Sequence, residues 1–105
     1  MKTALQLAQE YASLVRAKLG SQQVKGVILF GSQARGDATE KSDYDVVVIL
    51  DKKSVAVREK ILDAGTEMLN RYDRLFAALI YDEQEWNRTR RFPLGWNIEQ
   101  EGVAV

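Results

Sequence analysis

The sequence predicts an α/β fold built on a small sheet, and three observations lead there. Two apolar runs of strand length, Val24–Phe30 (VKGVILF) and Tyr44–Leu50 (YDVVVIL), are rich in β-branched residues. A third, Leu75–Tyr81 (LFAALIY), comes after a stretch of helical periodicity. Helical patterns also precede the first run and follow the last, so the order is helix, strand, strand, helix, strand, helix. The 105 residues, taken as one domain over 1–105, bury roughly 65% of the unfolded surface, enough for a single core.

The elements are justified in chain order. Over the first 20 residues Leu5, Ala8, Ala12, Val15 and Leu19 recur at helical spacing, Thr3 and Gln6 have the spacing of a capping box, and Gly20 is a stop. Val24–Phe30 reads as a mostly buried strand, and so does Tyr44–Leu50. A second amphipathic helix runs from about Ser54, its cap, to Tyr72, with Val57, Ile61, Ala64, Met68 and Tyr72 inward. After the strand at Leu75–Tyr81, Asp82 and Glu85 form another capping pair, opening a short helix through Arg91 that Pro93 ends. Leu94–Glu101 adds a turn or two of helix before Gly102, and Val103–Val105 an edge strand.

Composition excludes several chemistries. The chain has no cysteine, so no disulfide, thiol nucleophile or Cys-zinc site, and no histidine, so no Ser-His-Asp triad or His base. Fifteen basic residues balance fifteen acidic ones, which argues against a basic nucleic-acid clamp or a polybasic membrane binder. No apolar run approaches membrane-span length and no signal-peptide pattern opens the chain, so the expectation is a cytoplasmic protein without membrane contact. Any chemistry falls to carboxylates, Lys, Arg, Ser, Tyr and bound metal.

The chemistry-bearing segment is the 13-residue joint between the first two strands, long for a compact domain. It reads Gly31-Ser32-Gln33-Ala34-Arg35-Gly36 and closes on Ser42-Asp43-Tyr44-Asp45. Glycine lets a phosphate approach the backbone, and successive N–H groups there can cradle its oxygens. Arg35, one turn on, can reach the same anion with its fork of donors. Asp43 and Asp45, two apart at the start of a strand, share a face roughly 6.5–7 Å apart, where their oxygens suit Mg²⁺. Without a cation the two would repel. If the two strands are neighbours, the cradle and the acid pair face one another, the minimum apparatus for moving a nucleotidyl group. Each half taken alone also fits an ordinary turn or a polar strand end.

The joint resembles the signature of the DNA polymerase beta-type nucleotidyltransferase superfamily: Gly31-Ser32, then Arg35-Gly36, then Ser42-Asp43-Tyr44-Asp45. Within it the short chain resembles the minimal nucleotidyltransferase (MNT) group. The first helix, the VKGVILF strand, and the ending with Asn97-Ile98-Glu99 and Glu101-Gly102-Val103 also fit. The resemblance implies the nucleotidyltransferase fold, a mixed sheet flanked by helices. It implies Mg²⁺-dependent transfer of a nucleoside monophosphate, AMP from ATP foremost, with Asp43 and Asp45 as catalytic metal ligands and Gly31, Ser32, Arg35 and Ser42 on the phosphates. It further implies a HEPN-domain toxin as partner, with the MNT chain as antitoxin attaching AMP to a toxin tyrosine.

One departure stands out. Active members carry a third carboxylate on the next strand, metal ligand and base toward the acceptor hydroxyl. Here the centre of that strand is Ala77-Ala78, with Asp73 before it and Asp82 after it as distant substitutes or, in the plainer reading, a loop residue and a helix cap. Losing a general base removes ~10²–10⁴ in rate. A non-catalytic module that neutralises its partner by binding is therefore the first alternative, and an antibiotic-type small-molecule transferase the second, disfavoured by the absence of an acceptor domain. The missing wall of such a one-sided site points to a second copy or a partner protein, with the first helix and the Trp86–Trp96 region as contact surfaces. Arg88, Arg90 and Arg91 read as a solvated helix face, Lys41 as a phosphate neutraliser or a surface lysine, and Trp86, Phe92 and Trp96 as core or partner surface.

Overall fold

The computed structural model describes residues 1–105. Nine elements follow in order: α1 (Ala4–Leu19), β1 (Val24–Phe30), α2 (Ser32–Arg35), β2 (Tyr44–Leu50), α3 (Val55–Tyr72), β3 (Phe76–Asp82), α4 (Glu83–Thr89), α5 (Pro93–Glu101) and β4 (Val103–Ala104). The sheet is ordered β3-β2-β1-β4. β1 runs antiparallel to both β2 and β4, while β3 runs parallel to β2, with α3 as the crossover that a parallel pair requires. The sheet is mixed and flanked by helices, as the sequence predicts. No helix is long and apolar enough to cross a membrane.

Both faces of the sheet are covered, which is why β2 reads as an unbroken apolar run. Val46, Val48 and Leu50 face α1 and α3, where Val27, Leu29, Ile61, Ala64 and Met68 complete the larger core. Val47 and Ile49 face the other way, into a smaller cluster with Trp86 of α4 and Ile98 of α5. Alternation along β2 therefore sends Asp45 to the face of α4 and α5.

The caps fall where expected: Thr3 with Gln6, Ser54 to Val57, and Asp82 with Glu85. Three details differ. In α1 the buried stripe is Leu7, Ala8, Tyr11, Ala12 and Val15, and Leu5 is left 43% exposed. The Tyr11 ring stacks on Phe76 at 4.6 Å, and turning that large ring inward turns Leu5 out. β3 starts one residue later than expected, with Leu75 exposed at its threshold. The helix opened by Asp82 stops at Thr89, and Pro93, instead of only ending it, occupies the first turn of α5, where a missing N–H costs nothing.

Glu10 ties α1 to the end of α3. Its carboxylate accepts from the Tyr72 hydroxyl at 2.7 Å and pairs with Lys2 and Arg71, each at 3.0 Å. The Tyr72 hydrogen bond first, then Lys2, hold its pKa at about 2, below the ordinary 4.5. A depressed carboxylate adds stability above the unfolded value and loses it as pH falls toward the folded one. Thermal melts from pH 5 to 2 should show stability falling through that window, and Glu10→Gln should flatten the profile.

Candidate active site

β1 ends at Phe30, which pairs with Asp45, and the chain then turns sharply at Gly31. Gly31 has φ 74° and ψ −157°, backbone that side-chain-bearing residues rarely adopt. A Cβ there would collide with Asp45 Oδ2, so the Gly31 backbone lies directly against the Asp45 carboxylate. Gly31→Ala should cost about 1–3 kcal/mol from backbone conformation alone, and more from the clash. Urea unfolding measures the loss, and the displaced Asp45 should show as weakened metal binding.

The short helix α2 carries Ser32, half-buried, and Arg35. Gln33 pins it to the start of β2 by donating from Nε2 to the Ser42 carbonyl at 3.1 Å. Arg35 Nε donates to Asp37 at 3.2 Å, and its Nη1 to both oxygens of Glu101 at 3.3 Å. The Ser42 hydroxyl is engaged within its own loop, accepting from the Thr39 amide at 2.9 Å.

Asp45 is half-buried and Asp43 exposed. Burial raises the Asp45 pKa above its ordinary 3.8; the charges of Asp43 and Glu101 push the same way, and Arg35 opposes them. A divalent cation held between Asp43 and Asp45 would relieve both the desolvation and the repulsion. Two hard oxygen donors fit Mg²⁺, which takes its remaining ligands from water and phosphate. No three acidic residues are arranged to hold a metal by themselves.

The parallel register decides what neighbours the acid pair. Asp45 is opposite Ala77 on the same face, so Ala77, which is exposed, stands where a third strand carboxylate would. Ala78 points the other way and packs against the larger core. Asp82 is opposite Leu50, five residues or ~16 Å further along the strand, and its Oδ1 caps α4 by accepting from the Glu85 amide at 2.8 Å. It is therefore no substitute. Asp73 caps the end of α3 in left-handed conformation (φ 56°) and lines a cleft together with Lys41, Ser42, Asp43 and Arg74, though it does not join Asp43 and Asp45 as a third metal-holding acid.

A family model described as a nucleotidyltransferase domain matches residues 10–93. The chain belongs to the nucleotidyltransferase domain family. It is similar to two proteins of Methanocaldococcus jannaschii, each named as a candidate protein adenylyltransferase. MJ0604 is 30% identical over 97 residues, covering 92% of this chain and 92% of that protein. MJ0141 is 39% identical over 80 residues, covering 75% of this chain and 76% of that protein. The crystal structure of a candidate nucleotidyltransferase from Sulfolobus solfataricus has the same fold: TM-score 0.54, 24% identity, covering 96% of this chain and 78% of that one.

For this nucleotidyltransferase the structure brings Gly31, Arg35 and Asp45 together, with Asp43 close enough to act on Asp45 and Ser42 turned into its loop. It also adds a residue to which sequence analysis gave no role. Glu101, the last residue of α5, accepts from the Gly31 amide at 3.1 Å as well as from Arg35. The signal that could have found it is strand register. β4 pairs Val103 with Leu29, and counting two residues back from that antiparallel pair, past the end of the ladder, brings Glu101 level with Gly31.

Proposed function

We propose that the chain is a Mg²⁺-dependent adenylyltransferase of a single minimal domain, passing AMP from ATP to a hydroxyl of a partner protein. In this reading the partner is a HEPN-domain toxin, which the chain serves as antitoxin. The observation that carries it is the contact between the Gly31 backbone and the Asp45 carboxylate, which unites a phosphate cradle with an acid pair. The names of the two archaeal relatives support a protein acceptor and adenylate as the group moved.

Gly31, Ser32 and Arg35 would hold the polyphosphate tail, with Ser42 bracing the loop. Asp43 and Asp45 would hold the cation, which when bound screens phosphate charge and polarises the α-phosphoryl group. The acceptor oxygen forms the new bond to the α-phosphorus, the bond to the bridging oxygen breaks, and pyrophosphate leaves. With Ala77 beside Asp45, no strand carboxylate takes the acceptor proton, which passes to solvent or to a base of the partner.

The test is incubation with Mg²⁺ and ATP labelled at the α-phosphate, alone and with the product of the adjacent gene. Label on the partner that disappears with Asp43→Ala and Asp45→Ala is the expected result. No labelling with any of the four ribonucleotides would reject the enzymatic reading. Ala77 favours one second reading, neutralisation by complex formation without catalysis. There Asp43→Ala would leave partner binding and protection in cells intact.

A further inference from the structure

We propose that Glu101 is an internal anion seated in the phosphate cradle, which a metal-loaded polyphosphate must displace. The inference rests on reading Gly31 and Arg35 as the phosphate-holding groups. Both already serve one carboxylate: Gly31 donates its N–H to Glu101 Oε1, and Arg35 Nη1 reaches both Glu101 oxygens. A carboxylate on a backbone N–H and a guanidinium presents the same two acceptor oxygens that a phosphate would.

Glu101 does not reach this position by chance rotation of a loose tail. Gly102, next in the chain, is packed so closely on β1 that an added Cβ would collide with the Ile98 carbonyl and with Ile28 Cγ2. Beyond it β4 pairs with Ile28 and Leu29, Val105 donates its N–H to the Val27 carbonyl at 2.9 Å, and Arg16 holds the Val105 carbonyl at 3.0 Å. The end of α5 is thus anchored on β1, and it aims Glu101 across at Gly31.

The electrostatic consequence is selectivity. Arg35 is the one cation ion-paired at the cradle, shared between Asp37 and Glu101, while Asp43 and Asp45 add negative charge close by. A ligand entering this site must bring its own cations and offer several oxygens to outcompete Glu101. Magnesium triphosphates meet both conditions and a monophosphate does not.

The experiment is calorimetric titration of the full chain with Mg²⁺-ATP, Mg²⁺-tripolyphosphate and AMP. It compares the wild type with Glu101→Gln and Glu101→Ala, and with Glu99→Gln as control, since Glu99 pairs with Arg90. Both Glu101 variants should bind Mg²⁺-tripolyphosphate about tenfold or more tightly, and bind AMP measurably, while Glu99→Gln matches the wild type. Equal or weaker binding by the Glu101 variants, with a lowered melting temperature, would overturn the proposal and make Glu101 a brace of the loop. If α-labelled ATP still marks the partner in that case, the proposed function stands and only this inference falls. If no version of the protein takes up polyphosphate, the cradle itself is misread and both fail.

Discussion

Asp45→Asn should abolish the proposed Mg²⁺-dependent adenylyl transfer, lowering the rate by at least about 10²–10³-fold, while raising the melting temperature of the metal-free protein. The two effects share one cause. Asp45 is half-buried against the Gly31 backbone and faces the charges of Asp43 and Glu101, so its folded-state pKa lies above the ordinary value near 3.8. For a raised carboxylate the stabilising contribution is present below the unfolded value and is lost as pH rises through the folded one. Above its raised folded-state pKa the Asp45 charge is disfavoured in the fold, and an isosteric amide removes that charge together with the proposed metal ligand. Adding Mg²⁺ should raise the melting temperature of the wild type and leave Asp45→Asn unmoved. Calorimetric melts with and without Mg²⁺, alongside initial transfer rates, check both arms. A variant that loses activity but melts lower without metal would contradict the electrostatic account of the site.

Ala77→Asp should increase the transfer rate by about 10²-fold or more, the scale expected when a positioned base is added. Ala77 is exposed, lies on the face of Asp45 and is its direct partner across the parallel pair of β2 and β3. A carboxylate there adds a third oxygen ligand beside the acid pair and a base for the acceptor hydroxyl. Because it also adds like charge, the metal-free variant should melt lower than the wild type and bind Mg²⁺ more tightly. Leu79→Asp, two residues along the same face, is the control and should leave the rate unchanged. Ala78→Asp faces the larger core and should destabilise without gain. Unchanged rates for Ala77→Asp with Mg²⁺ bound would mean that the partner already supplies the base.

The elements were legible in the sequence because their signals are local. Thr3, Ser54 and Asp82 cap their helices within three residues, β-branched runs mark β1 and β2, and Gly20 and Gly102 stop α1 and α5. The meeting of Gly31 with Asp45 was legible for the same reason: the residues of the candidate site from Gly31 to Asp45 lie within one joint, and a hairpin-like pairing of its two strands is the natural way to bring the joint's ends together. The misplaced stripe of α1 shows the limit. Leu5 and Leu7 are equally apolar, and a helix pattern cannot rank them; stacking of Tyr11 on Phe76, 65 residues away, decides the rotation.

By itself, then, the sequence determined the helices, the strands and the pairing of glycine turn with acids, since each is settled by neighbours a few residues apart. Only the tertiary structure decided that Ala77 and not Ala78 flanks Asp45, that Asp82 stands five residues further along the sheet from Asp45, and that Glu101 closes on Gly31 and Arg35. Those facts depend on strand register, and register is set by how two faces of one sheet are buried at once, which no local stretch of chain contains.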